Sequence, residues 1–262
     1  MVSIIMLSHN GGRYVEESVR SVIVQTYQNW ELLFADNNSR DVTVSVMMGL
    51  MDEDREVRKR TGNVGRIRMS HTIYQRGTAQ LLNAALKEAK GRWIAFLNVG
   101  DVWEPTKLER QIAFMETHDY AFSYTQYGLM NRKSEDRGVV VSGKAVVTKE
   151  DMMRCCWPAY LTVMYDAGKT GVIQVRNLKR HNDYALCLNV SERADCHLLE
   201  ENLARMRTPW NALGNLLLTN KLKWRYEVYR IEEDLNPFVS LLMTLRNIWY
   251  GIVKWRRFIN SI

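Results

Sequence analysis

Gly91-Arg92-Trp93-Ile94-Ala95-Phe96-Leu97-Asn98-Val99-Gly100-Asp101 is the stretch whose reading decides the fold. An apolar run breaks abruptly into small and polar residues and ends on a carboxylate. A buried strand that stops at such a turn delivers its last residues to the carboxyl edge of a sheet, where open α/β sheets bind their ligands.

Upstream, the same grammar repeats. Val2 to Met6 is a strand-length apolar run that ends in Ser8-His9-Asn10-Gly11-Gly12, and Val15, Val19, Val22 and Ile23 follow at helical spacing. Trp30 to Ala35 is a second strand, again ending in a polar cluster, Asp36 to Asp41. Val44, Met47, Met48 and Met51 line a helix face before the charged Asp52 to Arg60. Ile67-Arg68-Met69 is a short strand, and Leu81, Leu82, Ala85, Leu86 and Ala89 mark a helix that Gly91 closes. Strands alternating with helices predict a parallel sheet covered on both faces over residues 1 to about 115.

Downstream, Glu104-Pro105-Thr106-Lys107-Leu108 starts a helix with proline in its first turn, running to about Glu116. The pattern then changes to strands at Tyr120 to Tyr127 and Gly138 to Val147, parted by the polar Asn131 to Asp136 turn. Thr148 and Asp151 form a capping box, Ala159 to Tyr165 reads as extended, Asp183 opens a helix over Tyr184 to Val190, and Ala194 to Leu199 reads as a last strand. At the end, Phe238, Leu241, Leu245, Ile248, Ile252, Trp255, Ile259 and Ile262 form a continuous helical stripe. Arg246, Lys254, Arg256 and Arg257 beside Trp249 and Tyr250 suit a helix lying in a membrane interface; packing on the domain or a coiled-coil partner would account for the same stripe.

Composition excludes several classes. The chain has 262 residues, is 46% hydrophobic and carries a net charge of +7, which suits an anionic partner. The basic residues are dispersed rather than interleaved with aromatics, which argues against nucleic acid. Cys155, Cys156, Cys187 and Cys196 lack metal-ligand spacing and read as reduced cytoplasmic thiols. The N-terminal run lacks a basic flank and reads as a strand, not a signal peptide. No run approaches the roughly 18 apolar residues of a membrane span. No dinucleotide, P-loop or nucleophile-elbow motif occurs. Of His9, His71, His118, His181 and His197, only His9 stands at a strand end.

Three polar clusters therefore sit at strand ends, Ser8-His9-Asn10, Asp36-Asn37-Asn38-Ser39 and Asn98-Val99-Gly100-Asp101, and a parallel sheet brings them to one crevice. In this setting Val2 to Met6, Gln25-Thr26-Tyr27-Gln28-Asn29-Trp30-Glu31-Leu32, Ala89 to Leu97 and Trp103-Glu104-Pro105-Thr106-Lys107-Leu108 resemble the family 2 glycosyltransferases of GT-A fold. The likeness extends more faintly through Tyr160 to Asp166 and Asn182 to Ala185.

The resemblance implies a Rossmann-like α/β fold with a mostly parallel sheet, a small mixed acceptor region and a C-terminal amphipathic helix. It implies a domain over 1–220, with a nucleotide-sugar half at 1–115 and an acceptor half at 116–220, then a helical tail over 221–262. The implied activity is inverting transfer of a sugar from a nucleoside diphosphate donor to an acceptor hydroxyl of a glycan or glycolipid. Its setting would be cell-surface polysaccharide synthesis in the cytoplasm, with the tail peripheral at the inner membrane face. A non-catalytic protein that binds a nucleotide, glycan or partner enzyme is the alternative.

By the same resemblance Ser8, His9, Asn10, Asp36, Asn37, Asn83 and Asn98 belong to the donor site, and Asp183 is the base that deprotonates the acceptor. Asp183 equally suits a helix N-cap. Mg²⁺ or Mn²⁺ on the diphosphate would rest on Asp101, because the family's Asp-Ser-Asp-Asp is here Asn98-Val99-Gly100-Asp101. The family's acidic pair after the second strand is Asp36-Asn37, its Arg-Asn pair is Leu82-Asn83, and its proline before Ser8 is Leu7. Basic residues, Arg205 and the donor-site candidate Arg207 among them, are available to replace part of the metal's charge. Trp157 and Tyr160 could stack on a sugar or simply pack.

Overall fold

The computed structural model describes residues 1–60, 65–70, 77–208 and 219–261. In chain order the first half comprises β1 (Val2–Ser8), α1 (Val15–Ile23), β2 (Trp30–Asp36), α2 (Thr43–Arg60), β3 (Ile67–Met69), α3 (Thr78–Glu88), β4 (Trp93–Phe96), β5 (Val102–Trp103) and α4 (Lys107–Thr117). The second half comprises β6 (Phe122–Met130), β7 (Asp136–Val141), β8 (Val146–Val147), α5 (Lys149–Arg154), β9 (Met164–Asp166), α6 (Ala167–Thr170), α7 (Asn182–Ser191), β10 (Cys196–Arg207), α8 (Thr219–Glu227), α9 (Pro237–Arg257) and β11 (Ile259–Ser261).

The sheet runs β11-β7-β6-β9-β4-β1-β2-β3, with β10 beside β6. Strands β3, β2, β1 and β4 are parallel, and β9 joins β4 antiparallel. Parallel strands covered by helices are buried on both faces, so alternate residues must feed two cores. Strand β1 sends Ile4 and Met6 to one core and Ile5 to the other; β2 divides Leu32 and Phe34 from Leu33 and Ala35. Strand β4 divides Trp93 and Ala95 from Ile94 and Phe96. Val19 of α1, Met47 of α2 and Leu108 of α4 cover one face, and Leu82 of α3 and Leu188 of α7 the other. Each buried Leu or Phe contributes roughly 2 kcal/mol of transfer free energy.

The sequence motifs turn out to bind one another. Ser3 Oγ donates to Glu31 Oε1 at 2.6 Å and accepts the Gly91 N–H at 2.7 Å, while Arg68 bridges Glu31 and Glu88 at 3.1 Å each. This buried polar network ties β1, β2, β3, α3 and the approach to β4 together. Gly91 is required by closeness, since a Cβ there would stand 2.5 Å from the Ser3 backbone nitrogen. Gln25 likewise donates to the Glu104 carbonyl at 2.8 Å and accepts the Leu108 N–H at 3.0 Å, and Trp103 Nε1 donates to the Leu161 carbonyl at 2.7 Å.

The structure redraws some elements. Ala159 to Tyr165 is not wholly extended, because Thr162 returns its N–H and hydroxyl to the Ala159 carbonyl at 2.9 and 2.7 Å, and Tyr160–Thr162 forms a 3₁₀ turn before β9. The last long strand runs from Cys196 to Arg207, beyond the charged Glu200 and Glu201, because register shifts between Leu199 and Arg205 absorb them. The Thr148 cap forms as expected, accepting the Asp151 N–H. All four cysteines are free.

The terminal stripe is used in two ways. Helix α9 ends at Arg257, and Ile259–Ser261 pairs with Val139–Val141 on the edge of β7, so the apolar spacing outlasts the helix. Ile262 lies outside the described residues, as does His71. Burial on α9 is inverted. Ser240, Thr244 and Asn247 are buried, whereas Phe238 is 70% exposed, Trp249 66%, and Leu241, Leu242 and Leu245 are exposed too. Asn247 Nδ2 donates to the hydroxyls of Tyr184 and Tyr229, 3.0 Å each, which gives this buried amide nitrogen its partners.

Candidate active site

The carboxyl ends of β1 and β2 are in register, Ser8 beside Asp36, and the two loops beyond them interlock. The Asn37 N–H donates to the Ser8 carbonyl at 2.8 Å, and His9 Nδ1 meets the Asn37 carbonyl at 2.8 Å. Asn10 takes a positive φ of 52°; its N–H donates to Ser39 Oγ at 2.7 Å and its Oδ1 accepts the Arg40 N–H at 2.8 Å. Asp36 accepts from the Ser39 N–H and hydroxyl at 2.8 and 2.6 Å, a pair of bonds three residues on that fixes the loop. Ser8, His9, Asn10, Asp36 and Asn37 are thus gathered at one edge, with His9 and Asn10 exposed there.

At the end of β4 the structure divides the motif. Asn98 lines a cavity of about 250 Å³ with Leu7, Leu82, Tyr160, Lys179, Arg180 and Asp183. Val99, Gly100 and Asp101 line another, of about 310 Å³, with Tyr14, Arg132 and Arg207. Val99 stands close to Gly11, where a Cβ would come within 2.5 Å of Val99 Cγ1. The largest cavity among those described, about 470 Å³ around Val172 to Arg176, contains none of the strand-end residues, so size is a poor guide to the chemistry here.

Asp101 is held inside the fold. Its Oδ1 accepts the Arg207 N–H at 2.9 Å, and burial pushes its carboxyl up to about 7 despite that bond and the nearby guanidinium, which pull it down. Arg207 is itself a buckle. It donates to the Gly100 and Asn131 carbonyls at 2.8 and 2.9 Å and to Glu17 at 2.5 Å, and lies over the Tyr14 ring at 4.3 Å. Arg205 pairs with Glu104 at 2.9 Å. Asn83 is similarly committed, donating to the Val175 carbonyl at 2.7 Å and accepting its N–H at 2.9 Å, so it braces the chain ahead of α7.

Asp183 occupies the second position of α7 and is exposed to the Asn98 cavity. The capping position belongs to His181, at a φ of 60°, so Asp183 is not the N-cap. Its charge reaches Tyr160, whose hydroxyl burial and that carboxylate together push well above its ordinary range. Tyr160 packs on Phe96 with ring centroids 4.7 Å apart, while Trp157 stands edge-on to Phe258. Tyr160 Oη and Asn182 Oδ1, both in the wall of this cavity, have no hydrogen-bond partner. Lys179 and Arg180 escape a reading by motif. Their one signal in the sequence is a basic pair one residue ahead of the Asn182-Asp183 helix start.

The residues present do not fit a divalent cation on the strand-end motif. Mg²⁺ and Mn²⁺ take hard oxygen ligands, usually carboxylates. Asn98 and Gly100 offer no charge, and Asp101 faces a different cavity from Asn98 with one oxygen already occupied. Among the described residues no group of three or more His, Cys, Asp or Glu side chains is placed to hold a metal ion.

Comparison with known proteins agrees with this fold. The family profile described as Glycosyl transferase family 2 matches residues 3–141. The putative teichuronic acid biosynthesis glycosyltransferase TuaG of Bacillus subtilis is 30% identical over 85% of this chain and 83% of its own length. The UDP-Glc:alpha-D-GlcNAc-diphosphoundecaprenol beta-1,3-glucosyltransferase WfgD of Escherichia coli is 30% identical over 97% of this chain and 94% of its own. Among solved structures, S. aureus TarS 1-349 in complex with UDP-GlcNAc superposes with a TM-score of 0.67 at 18% identity, covering 95% of this chain and 72% of that one. The mannosyltransferase PcManGT from Pyrobaculum calidifontis, in complex with GDP-Man and Mn²⁺, gives 0.65 at 12% identity over 97% and 73%. The structural likenesses show a GT-A fold, and with the profile spanning more than half of its length the chain belongs to glycosyl transferase family 2.

Proposed function

We propose that this protein transfers a sugar, with inversion, from a nucleoside diphosphate donor to a hydroxyl of a lipid-linked glycan. The observation that carries the reading is the single cavity shared by Asn98, at the end of β4, and Asp183, at the start of α7. The nucleoside would rest on the loops carrying Ser8, His9, Asn10, Asp36 and Asn37, with its diphosphate and sugar extending towards Asn98. Asp183 then takes the acceptor hydroxyl proton as the oxygen attacks the anomeric carbon. The bond to the diphosphate breaks on the opposite side and the diphosphate leaves with the electron pair, which inverts the anomeric centre. The sheet-edge position and a free carboxylate favour this over a purely binding role.

The acceptor class is supported by WfgD, whose name places its own acceptor on diphosphoundecaprenol, together with the surface of α9. No described helix is long and apolar enough to cross a membrane. Helix α9 instead turns Phe238, Leu241, Leu245 and Trp249 outward beside the exposed Arg246, a surface suited to the headgroup boundary of an anionic bilayer, where a lipid-linked acceptor would be found.

The test is transfer from UDP-Glc, UDP-GlcNAc and GDP-Man to GlcNAc-diphosphoundecaprenol in vesicles containing anionic lipid. Asp183→Asn is expected to lower kcat by about 100-fold or more while nucleotide binding persists. Transfer with none of the three donors, or full activity in the variant, would overturn the proposal.

A further inference from the structure

In a reaction of this kind the departing diphosphate must have its charge matched, and the strand-end motif is poorly made to do so through a metal. The basic residues that the sequence offers as substitutes are also spent, Arg205 on Glu104 and Arg207 on Glu17 and two carbonyls. The opposite wall of the Asn98 cavity supplies other cations. Lys179 and Arg180 line it from the segment leading into α7, and both are exposed. Arg180 is braced, its guanidinium lying 4.8 Å from the Trp224 ring centroid, and the neighbouring His181 ring is 6.3 Å from the same indole. Helix α8 therefore props this basic segment over the cavity.

Two further groups point to a ligand. Tyr160 is 8% exposed and Asn182 5%, both line this cavity, and Tyr160 Oη and Asn182 Oδ1 lack a partner. A buried polar atom left unpaired costs about 1–3 kcal/mol, which a bound ligand would recover. Tyr160 can donate to a phosphate oxygen, and Asn182 Oδ1 can accept a sugar hydroxyl. The N-terminus of the ten-residue α7 faces the same space, adding its partial positive charge. Asp183 also lines the cavity and opposes an anion, but two cations stand against that one carboxylate.

We propose that Lys179 and Arg180, with Tyr160 as a neutral donor, hold the donor's diphosphate and take the place of a divalent cation in this protein. The proposal rests on the nucleoside diphosphate reading above and deepens it. An arginine fork can bond two phosphate oxygens at once, and the lysine adds a mobile point charge. Both side chains are exposed, so their removal should leave the native state intact.

The experiment is calorimetric titration of the full chain with UDP and with GDP, in EDTA and in Mn²⁺. Binding of one nucleotide with a Kd that agrees between the two conditions within about twofold is expected. Lys179→Ala and Arg180→Ala should each weaken it by about tenfold, and Tyr160→Phe by about threefold, with binding of the parent nucleoside unchanged in each variant. Thermal melts of the variants that match the parent protein confirm an intact fold. Binding that requires Mn²⁺, or alanine variants that bind like the parent, would overturn the proposal while leaving the donor reading in place. Failure of both nucleotides in both conditions would overturn this proposal and remove support from the donor reading as well.

Discussion

Asp101→Asn separates a metal ligand from a partly buried structural acid. In the structure the carboxyl accepts the Arg207 N–H and titrates near 7, against an ordinary 3.8, because burial disfavours its charge. At roughly 1.4 kcal/mol per pKa unit, that gap sets a ceiling of about 4 kcal/mol on what ionising this group costs the native state. The side chain is only partly shielded and Arg207 lies nearby, so about 2 kcal/mol is the value to expect. The sign follows from proton counting. Between pH 4 and 7 the native state holds the proton that the unfolded chain has lost, so this group's contribution to stability is present at pH 4 and lost as pH rises through 7. Asparagine keeps an acceptor for the Arg207 N–H and never ionises. The melting temperature of the variant minus that of the parent should therefore climb by about 4–8 °C between pH 4 and 7 and then level off. Scanning calorimetry at half-unit pH steps reads this directly. A difference that stays flat with pH, or that falls because the parent gains stability from the ionised carboxylate, would refute the reasoning.

Two other perturbations probe the frame around the site. Lys107 is fully buried, donates to Gln111 at 2.7 Å and sits over the Trp103 ring at 4.2 Å; burial lowers its ammonium to about 7. The unfolded chain keeps that proton to higher pH, so stability should rise from pH 7 towards 10. Lys107→Met should remove that rise in denaturant midpoints, and an unchanged slope would show that the ammonium titrates normally. Gly91→Ala places a methyl group 2.5 Å from the β1 backbone at Ser3 and should cost about 3 kcal/mol or more by urea unfolding; a loss under about 1 kcal/mol would mean that β1 and β4 can part at no great cost.

The sheet and its edge were legible in the sequence because their signals are local. Ile4, Ile5 and Met6, Leu32 to Ala35, and Ile94 to Phe96 are strand-length apolar runs that only a doubly covered parallel sheet can bury, and each breaks into polar residues where the chain must turn. Those breaks bring Ser8, Asp36 and Asn98 to one edge of the sheet. Tertiary structure decided what each polar group had left to give. Asp101 reads as a free carboxylate until Arg207, far along the chain on β10, is seen to occupy it, and Asn83 reads as a ligand until Val175 claims both ends of its amide. Periodicity located the apolar stripe of α9, but it did not say which face would be covered. The hydroxyls of Tyr184 and Tyr229 took the polar face, and the apolar one was left outside. In the same way the pattern around Asn98-Val99-Gly100-Asp101 marks where a ligand edge lies, while the folded chain sets Asn98 in one cavity and Asp101 in another. Element type follows from short-range preference; the availability of a charge depends on partners that only the folded chain brings within reach.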